Sequence, residues 1–189
     1  MKIKVAIALL AVALILSFIA PSEAFLGDYY KLIYFHLPLS IISFASLFLF
    51  PAAVYFSWRP QNMVVATIAF LSVNLGLSAI FMQVAWGGIS TAEPRAVFSI
   101  FLLLLLVLFL VCLMLSRSVA LVYSVVQLIL AIWLYQGVSE APFQLHPISL
   151  VDMGLLMKLP LVFTFPALVL IYYRLTEINT DSLKSISIK

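Results

Sequence analysis

Charge, cysteine, glycine and histidine are all scarce in this chain, and each scarcity excludes something. Only 9% of its 189 residues are charged while 66% are hydrophobic, a balance that leaves too little polar surface for a soluble globular domain. A single cysteine, Cys112, permits neither an intramolecular disulfide nor a paired-thiol relay. The six glycines are scattered and none forms the GxxxxGK[ST] loop that cradles nucleotide phosphates, so an ATP-driven step has to come from a partner. The net charge of +3 carries no basic patch, which removes nucleic acid as a partner. Repeats and low-complexity tracts are also missing.

What is present is length in apolar runs. A membrane-spanning helix needs about 20 apolar residues, and charges and turn formers divide the chain into six such stretches: Val5 to Ala20, Leu32 to Ser57, Met63 to Ala85, Ala96 to Ser116, Ser118 to Gln136 and Val151 to Tyr173. The expected fold class is therefore all-α, a polytopic membrane helix bundle of six transmembrane helices forming one domain over residues 1–189. The connections are too short for a second domain. Residues 1–24 also fit a secretory signal, with Lys2 and Lys4 before an apolar run and small residues around Ser22-Glu23-Ala24. We expect the segment to be retained, because the run is long enough to span when tilted; cleavage would leave five spans.

Lys and Arg are kept on the cytoplasmic side of membrane proteins. With the N-terminus inside, the inner segments hold Lys2, Lys4, Arg59, Arg117, Arg174, Lys184 and Lys189, and the outer ones only Lys31 and Arg95. Both termini are thus expected in the cytoplasm, with residues 174–189 as a polar tail. The outer connections are Pro21 to Lys31, the loop 86–95 and the loop 137–150.

This topology places both histidines of the chain, His36 and His146, at the outer rim. Imidazole coordinates a metal near neutral pH without first losing a proton. His36 lies in the first turn of the second span, where unpaired N–H groups and the helix dipole favour its neutral, ligating form. Two nitrogen ligands from separate elements suit the opposite faces of haem, and Arg95 has the planar fork that binds a carboxylate through two hydrogen bonds. The bland reading is an interfacial histidine with a wet tip, and Tyr29, Tyr30, Tyr34 and Trp86 equally fit an ordinary aromatic belt. Inside the spans, Asn74 and Ser78 share a helix face and, with Gln83 and Gln127, are expected to hydrogen bond between helices. Lys158, about a third of the way down the sixth span, is a costlier placement that a long side chain relieves by snorkelling.

Tyr34-Phe35-His36-Leu37-Pro38 resembles the Tyr-x-His-Val-Pro signature of the haem exporter C (CcmC) / cytochrome c assembly family. Trp86-Gly87, followed by Glu93-Pro94-Arg95, resembles that family's tryptophan-rich loop, Trp-Gly-x-Trp-Trp-x-Trp-Asp-x-Arg, and Leu145-His146 resembles its last outer loop, Thr-Leu-His-Gln. Ile89, Ser90 and Ala92 stand where tryptophans are expected and Glu93 replaces the aspartate, so the resemblance is to a divergent member. It implies haem b bound transiently through His36 and His146, with Tyr34, Trp86, Gly87, Arg95 and Phe143 around it. It also implies transfer to a membrane-anchored haem chaperone beside ABC transporter subunits of cytochrome c maturation, at the outer face of the plasma membrane. Handling and transfer, rather than enzymatic turnover, is the expected role. Two rivals are a b-type cytochrome subunit working with quinone and a haem-free permease or assembly scaffold.

Overall fold

Prolines and charges stop and start the helices of this chain. A computed structural model describes residues 2–23, 26–89, 93–139 and 154–177. The helices are α1 (Lys2–Ile19), α2 (Ile33–Phe56), α3 (Pro60–Trp86), α4 (Pro94–Leu115), α5 (Arg117–Ser139) and α6 (Leu155–Glu177), with a short 3-10 helix at Asp28–Leu32 before α2. Proline opens α3 and α4, where its missing N–H costs nothing. Among the described residues there is no strand, only one bridge between Glu23 and Gly27. The expected all-α class holds, and six helices are long and apolar enough to cross a membrane. The shortest, α1, has 18 residues, close to the roughly 20 that a bilayer requires.

Three boundaries differ from the sequence expectation. Helix α5 continues through Gly137 to Ser139, into the segment expected to be loop. The tail begins as helix, since Arg174 to Glu177 extend α6. Helix α6 starts at Leu155, so Lys158 sits in its first turn rather than a third of the way down. Its side chain is half-buried there.

Helices α2, α3, α4 and α5 contact one another in sequence around a ring that closes from α5 back to α2. Helix α6 packs on α2 and α3, and α1 packs on α6. One end of the ring is filled: Leu47, Phe50, Val54, Val64, Leu102, Leu106, Phe109 and Cys112 form a continuous buried cluster, with the Phe50 and Phe109 rings 5.2 Å apart. Outward positions are apolar as well, among them Phe18, Leu104, Met114 and Trp133, a surface suited to lipid.

Helix α1 is joined to the bundle by a seam of small residues. Ala6, Ala13 and Ser17 are buried, as is Ala20 just beyond its end, and Leu10 packs among residues of α2, α3 and α6. These positions alternate four and three apart, the spacing that keeps one face on a neighbouring helix, and small side chains let the two backbones approach.

The C-terminal carbonyls of α2 and α6, which have no partner inside their own helices, are met by basic and amide side chains. Arg117 Nε donates to Val54 O at 3.1 Å and its terminal nitrogen to Tyr55 O. Arg59 donates to Glu177 O at 2.8 Å and Asn62 to Thr176 O at 3.0 Å. Lys2 completes this end, 3.8 Å from the Glu177 carboxylate and over the Tyr173 ring. The positive charges used above to orient the chain therefore also hold its helix ends together.

Ala13→Leu should overpack the α1–α6 seam and cost about 1–3 kcal/mol, lowering the thermal midpoint of the detergent-solubilised protein. Phe18→Leu, at a side chain 77% exposed, should leave it unchanged. A neutral Ala13→Leu would show that α1 does not depend on this seam.

Candidate functional site

Helices α2 and α3 run antiparallel, so a step of four up one meets a step of four down the other. His36 and Ser40 on α2 therefore face Ser78 and Asn74 on α3. His36 Nδ1 lies 3.2 Å from Ser78 Oγ, and Ser40 Oγ donates to Asn74 Oδ1 at 3.1 Å. Deeper in the same seam Ser46 and Thr67 hydroxyls are 2.9 Å apart, and Thr67 Oγ1 is 2.8 Å from the Tyr172 hydroxyl of α6. Hydroxyls and amides bridging helices in this way satisfy polar groups that surrounding hydrocarbon cannot.

Ser78 is also bonded within its own helix. Its hydroxyl donates to the carbonyl of Asn74, one turn back, at 3.0 Å, a common use of serine within a helix. The Ser78 hydroxyl thus lies between two neighbours, the Asn74 carbonyl and His36 Nδ1. The contact holds the Nδ1 edge of the imidazole against α3, and a metal-binding histidine is commonly oriented through its second ring nitrogen in this way.

His36 lines a cleft of about 850 Å³ between α2, α3, α4 and α5, within the size range of small-molecule sites, about 300–1,000 Å³. One wall is polar, made by Ser40, Ser43, Asn74 and Ser78; the opposite wall carries Arg95 and Ser99 of α4. Phe44, Phe98 and Tyr135, from three helices, meet along it with ring centroids 5.3 to 6.2 Å apart. Leu71 and Leu102 belong both to the cleft lining and to the packed cluster, and so form its floor. A second chamber of about 50 Å³ shares His36, Ser78 and Arg95 with the cleft and adds Tyr30, Met82 and Glu93.

Residues lining the two chambers carry buried polar atoms with no hydrogen-bond partner among the described residues: the hydroxyls of Ser43, in the cleft, and Tyr30, in the chamber, and one carboxylate oxygen of Glu93, also in the chamber. Buried polar groups in folded proteins are nearly always satisfied. These three line chambers large enough for a ligand or ordered water.

The residues anticipated from sequence are distributed unevenly. His36 and Arg95 come together on the walls of one cleft. Tyr34 does not join them: it is fully buried on another face of α2, clustered with Tyr30, Ala20, Met157 and Leu161. Trp86 is the last residue of α3, and Gly87 caps that helix at φ 73°, a left-handed conformation that favours glycine. His146 and Phe143 lie outside the described residues. Asn74 and Ser78 make the expected interhelical bonds. Gln127 departs from expectation, fully buried with neither amide atom bonded among the described residues; nothing in its surroundings explains it. The aromatic wall was missed, although its signal is present: Phe44 is two turns from His36 on the same face, and Phe98 one turn from Arg95.

No family model matches this chain, and no curated protein matches its sequence. The site therefore has to be read from its own geometry.

A double-mutant cycle between Ser40→Ala and Asn74→Ala should return a coupling of about 0.5–1.5 kcal/mol in unfolding free energy, the scale of interhelical hydrogen bonds in membranes. Strictly additive single-mutant effects would separate the two side chains.

Proposed function

We propose that this chain is a membrane haem-handling protein of the haem exporter C / cytochrome c assembly type. The observation that carries the reading is that His36, with its Nδ1 held 3.2 Å from Ser78 Oγ, and Arg95 line the same cleft. Iron would be bound by His36 Nε2, with His146 as the second ligand, and a haem carboxylate would meet the Arg95 guanidinium, whose fork suits it. Phe44, Phe98 and Tyr135 offer aromatic surface to a flat apolar ring, in a chain whose loop lacks the family's tryptophans. The buried Ser43 hydroxyl, left without a partner among the described residues in the cleft lining, also fits a site built for an occupant.

In this reading both termini are cytoplasmic, the histidine end of the bundle faces outward, and the segment 1–24, which contains α1, stays attached. The membrane is the plasma membrane. Haem b is cargo, passed to a membrane-anchored haem chaperone beside ABC transporter subunits, and the chain itself performs no turnover chemistry. Its contribution is to bind through neutral nitrogen ligands, orient through Arg95 and release to an acceptor that supplies competing bonds.

Purified protein incubated with haemin should show a Soret band and a low-spin bis-histidine spectrum, lost in His36→Ala and in His146→Ala separately. Arg95→Ala should weaken uptake about tenfold or more, the scale of a charge-assisted hydrogen-bond pair. Unchanged haem content in either histidine variant would remove the paired-ligand reading, and no uptake by the wild-type chain would favour a scaffold. Rapid reduction by quinol without transfer to an acceptor would favour the cytochrome.

A further inference from the structure

We propose that the cleft opens sideways into the bilayer between α2 and α5, in the half of the bundle nearer His36, and that haem reaches His36 and Arg95 through this opening from the lipid phase. The inference rests on the haem reading above and concerns how the same site is reached.

The α2 residues that line the cleft do not share one face. His36, Ser43 and Phe44 turn toward the bundle, as Leu47 and Phe50 do in the packed cluster beyond them. Ile41, Ala45 and Phe48 line the same cleft, yet at about 100° per residue Ala45 falls on the face of α2 opposite His36. Ile41 is 41% and Phe48 50% exposed, and they share this arc with Leu49, which is exposed and lies outside the cleft. It is the arc of α2 that meets lipid. A space touching both arcs has to pass around the side of α2 to the exterior. The neighbour on that side is α5, whose Tyr135 faces Phe44 with ring centroids 5.3 Å apart and is itself 51% exposed. Farther from His36 the way is closed, because Leu47 of α2 and Ala131 of α5 are buried in one packed cluster.

The polarity of this passage matches haem. Its rim is apolar, with Ile41, Ala45 and Phe48, while its inner end carries His36, Arg95 and the buried Ser43 hydroxyl, which has no partner among the described residues. Haem is likewise an apolar ring with carboxylates along one edge. His36 and Arg95 both stand in the first turns of their helices, at the membrane boundary. A haem moving sideways therefore keeps its carboxylates at that boundary and its ring in hydrocarbon throughout. No charge is drawn toward the bilayer centre, where it is costly, and the ring need not cross water.

Two measurements on the full chain in phosphatidylcholine vesicles test the opening and its use. In a Cys112→Ala background, Ser99→Cys places a single thiol on the α4 wall of the cleft, and a membrane-dissolved pyrene maleimide should label it. Adding Ala45→Trp should slow labelling about tenfold, because a large side chain forced into the passage raises the barrier. Ile41→Trp, on the same rim, should act alike, and Leu49→Trp, on the same exposed arc outside the cleft, should leave the rate unchanged. Haemin partitioned into the same vesicles should give the same order of uptake rates in the Soret band, with equal final amplitude in all four chains.

Labelling that neither Ala45→Trp nor Ile41→Trp slows overturns the opening. Slowed labelling with unchanged haemin uptake overturns its use as the route for haem. A wild-type chain that takes up no haemin, while Ala45→Trp still slows labelling, instead removes the functional reading, and haem as the occupant with it, but leaves the sideways opening standing.

Discussion

A polar group inside a bundle of this composition has to find its hydrogen-bond partner within the protein, because hydrocarbon offers none. The α2–α3 seam answers that constraint at three levels, His36 with Ser78, Ser40 with Asn74, and Ser46 with Thr67. These pairs fix the register of two antiparallel helices, and the register brings His36 to a serine rather than to a leucine. Tyr172 ties α6 into the deepest of them, and α1 follows through its small-residue seam with α6. The position of the histidine against α3 is thus a consequence of how the helices are aligned.

The same ring of four helices is filled at one end and hollow at the other. Toward the C-terminus of α2, large apolar residues interlock around Phe50, Leu106 and Phe109. Toward its N-terminus the lining includes Ser40, Ser43, Asn74, Ser78 and Ser99, small polar side chains that leave open space beside the aromatic wall. The filled end supplies rigidity, and arginines cap the helix carbonyls there. The open end supplies the site. This division explains how a chain with no second domain holds a large cleft without losing its packing.

Much of this was legible in the residues. Helix number and class followed from apolar runs bounded by charge, because a bilayer-length helix leaves little ambiguity in composition. The closeness of His36 and Arg95 was anticipated, since both open helices on the same side. Tyr34 shows where such reasoning fails: two positions from His36, it points to α6 instead, because neighbouring residues on a helix project in different directions. The aromatic wall was hidden for a related reason. Phe44, Phe98 and Tyr135 belong to three different helices, and apolar residues are so common here that only the packing of α2, α4 and α5 singles them out.

The central claim is that the cleft between α2, α3, α4 and α5 holds haem with its iron on His36. Its most direct test is the position of iron in haem-loaded protein, located by anomalous X-ray scattering. The account predicts iron bonded to His36 Nε2, with the macrocycle against Phe44, Phe98 and Tyr135 and a carboxylate at Arg95. Iron held away from His36, or a macrocycle lying outside the four-helix ring, would contradict it.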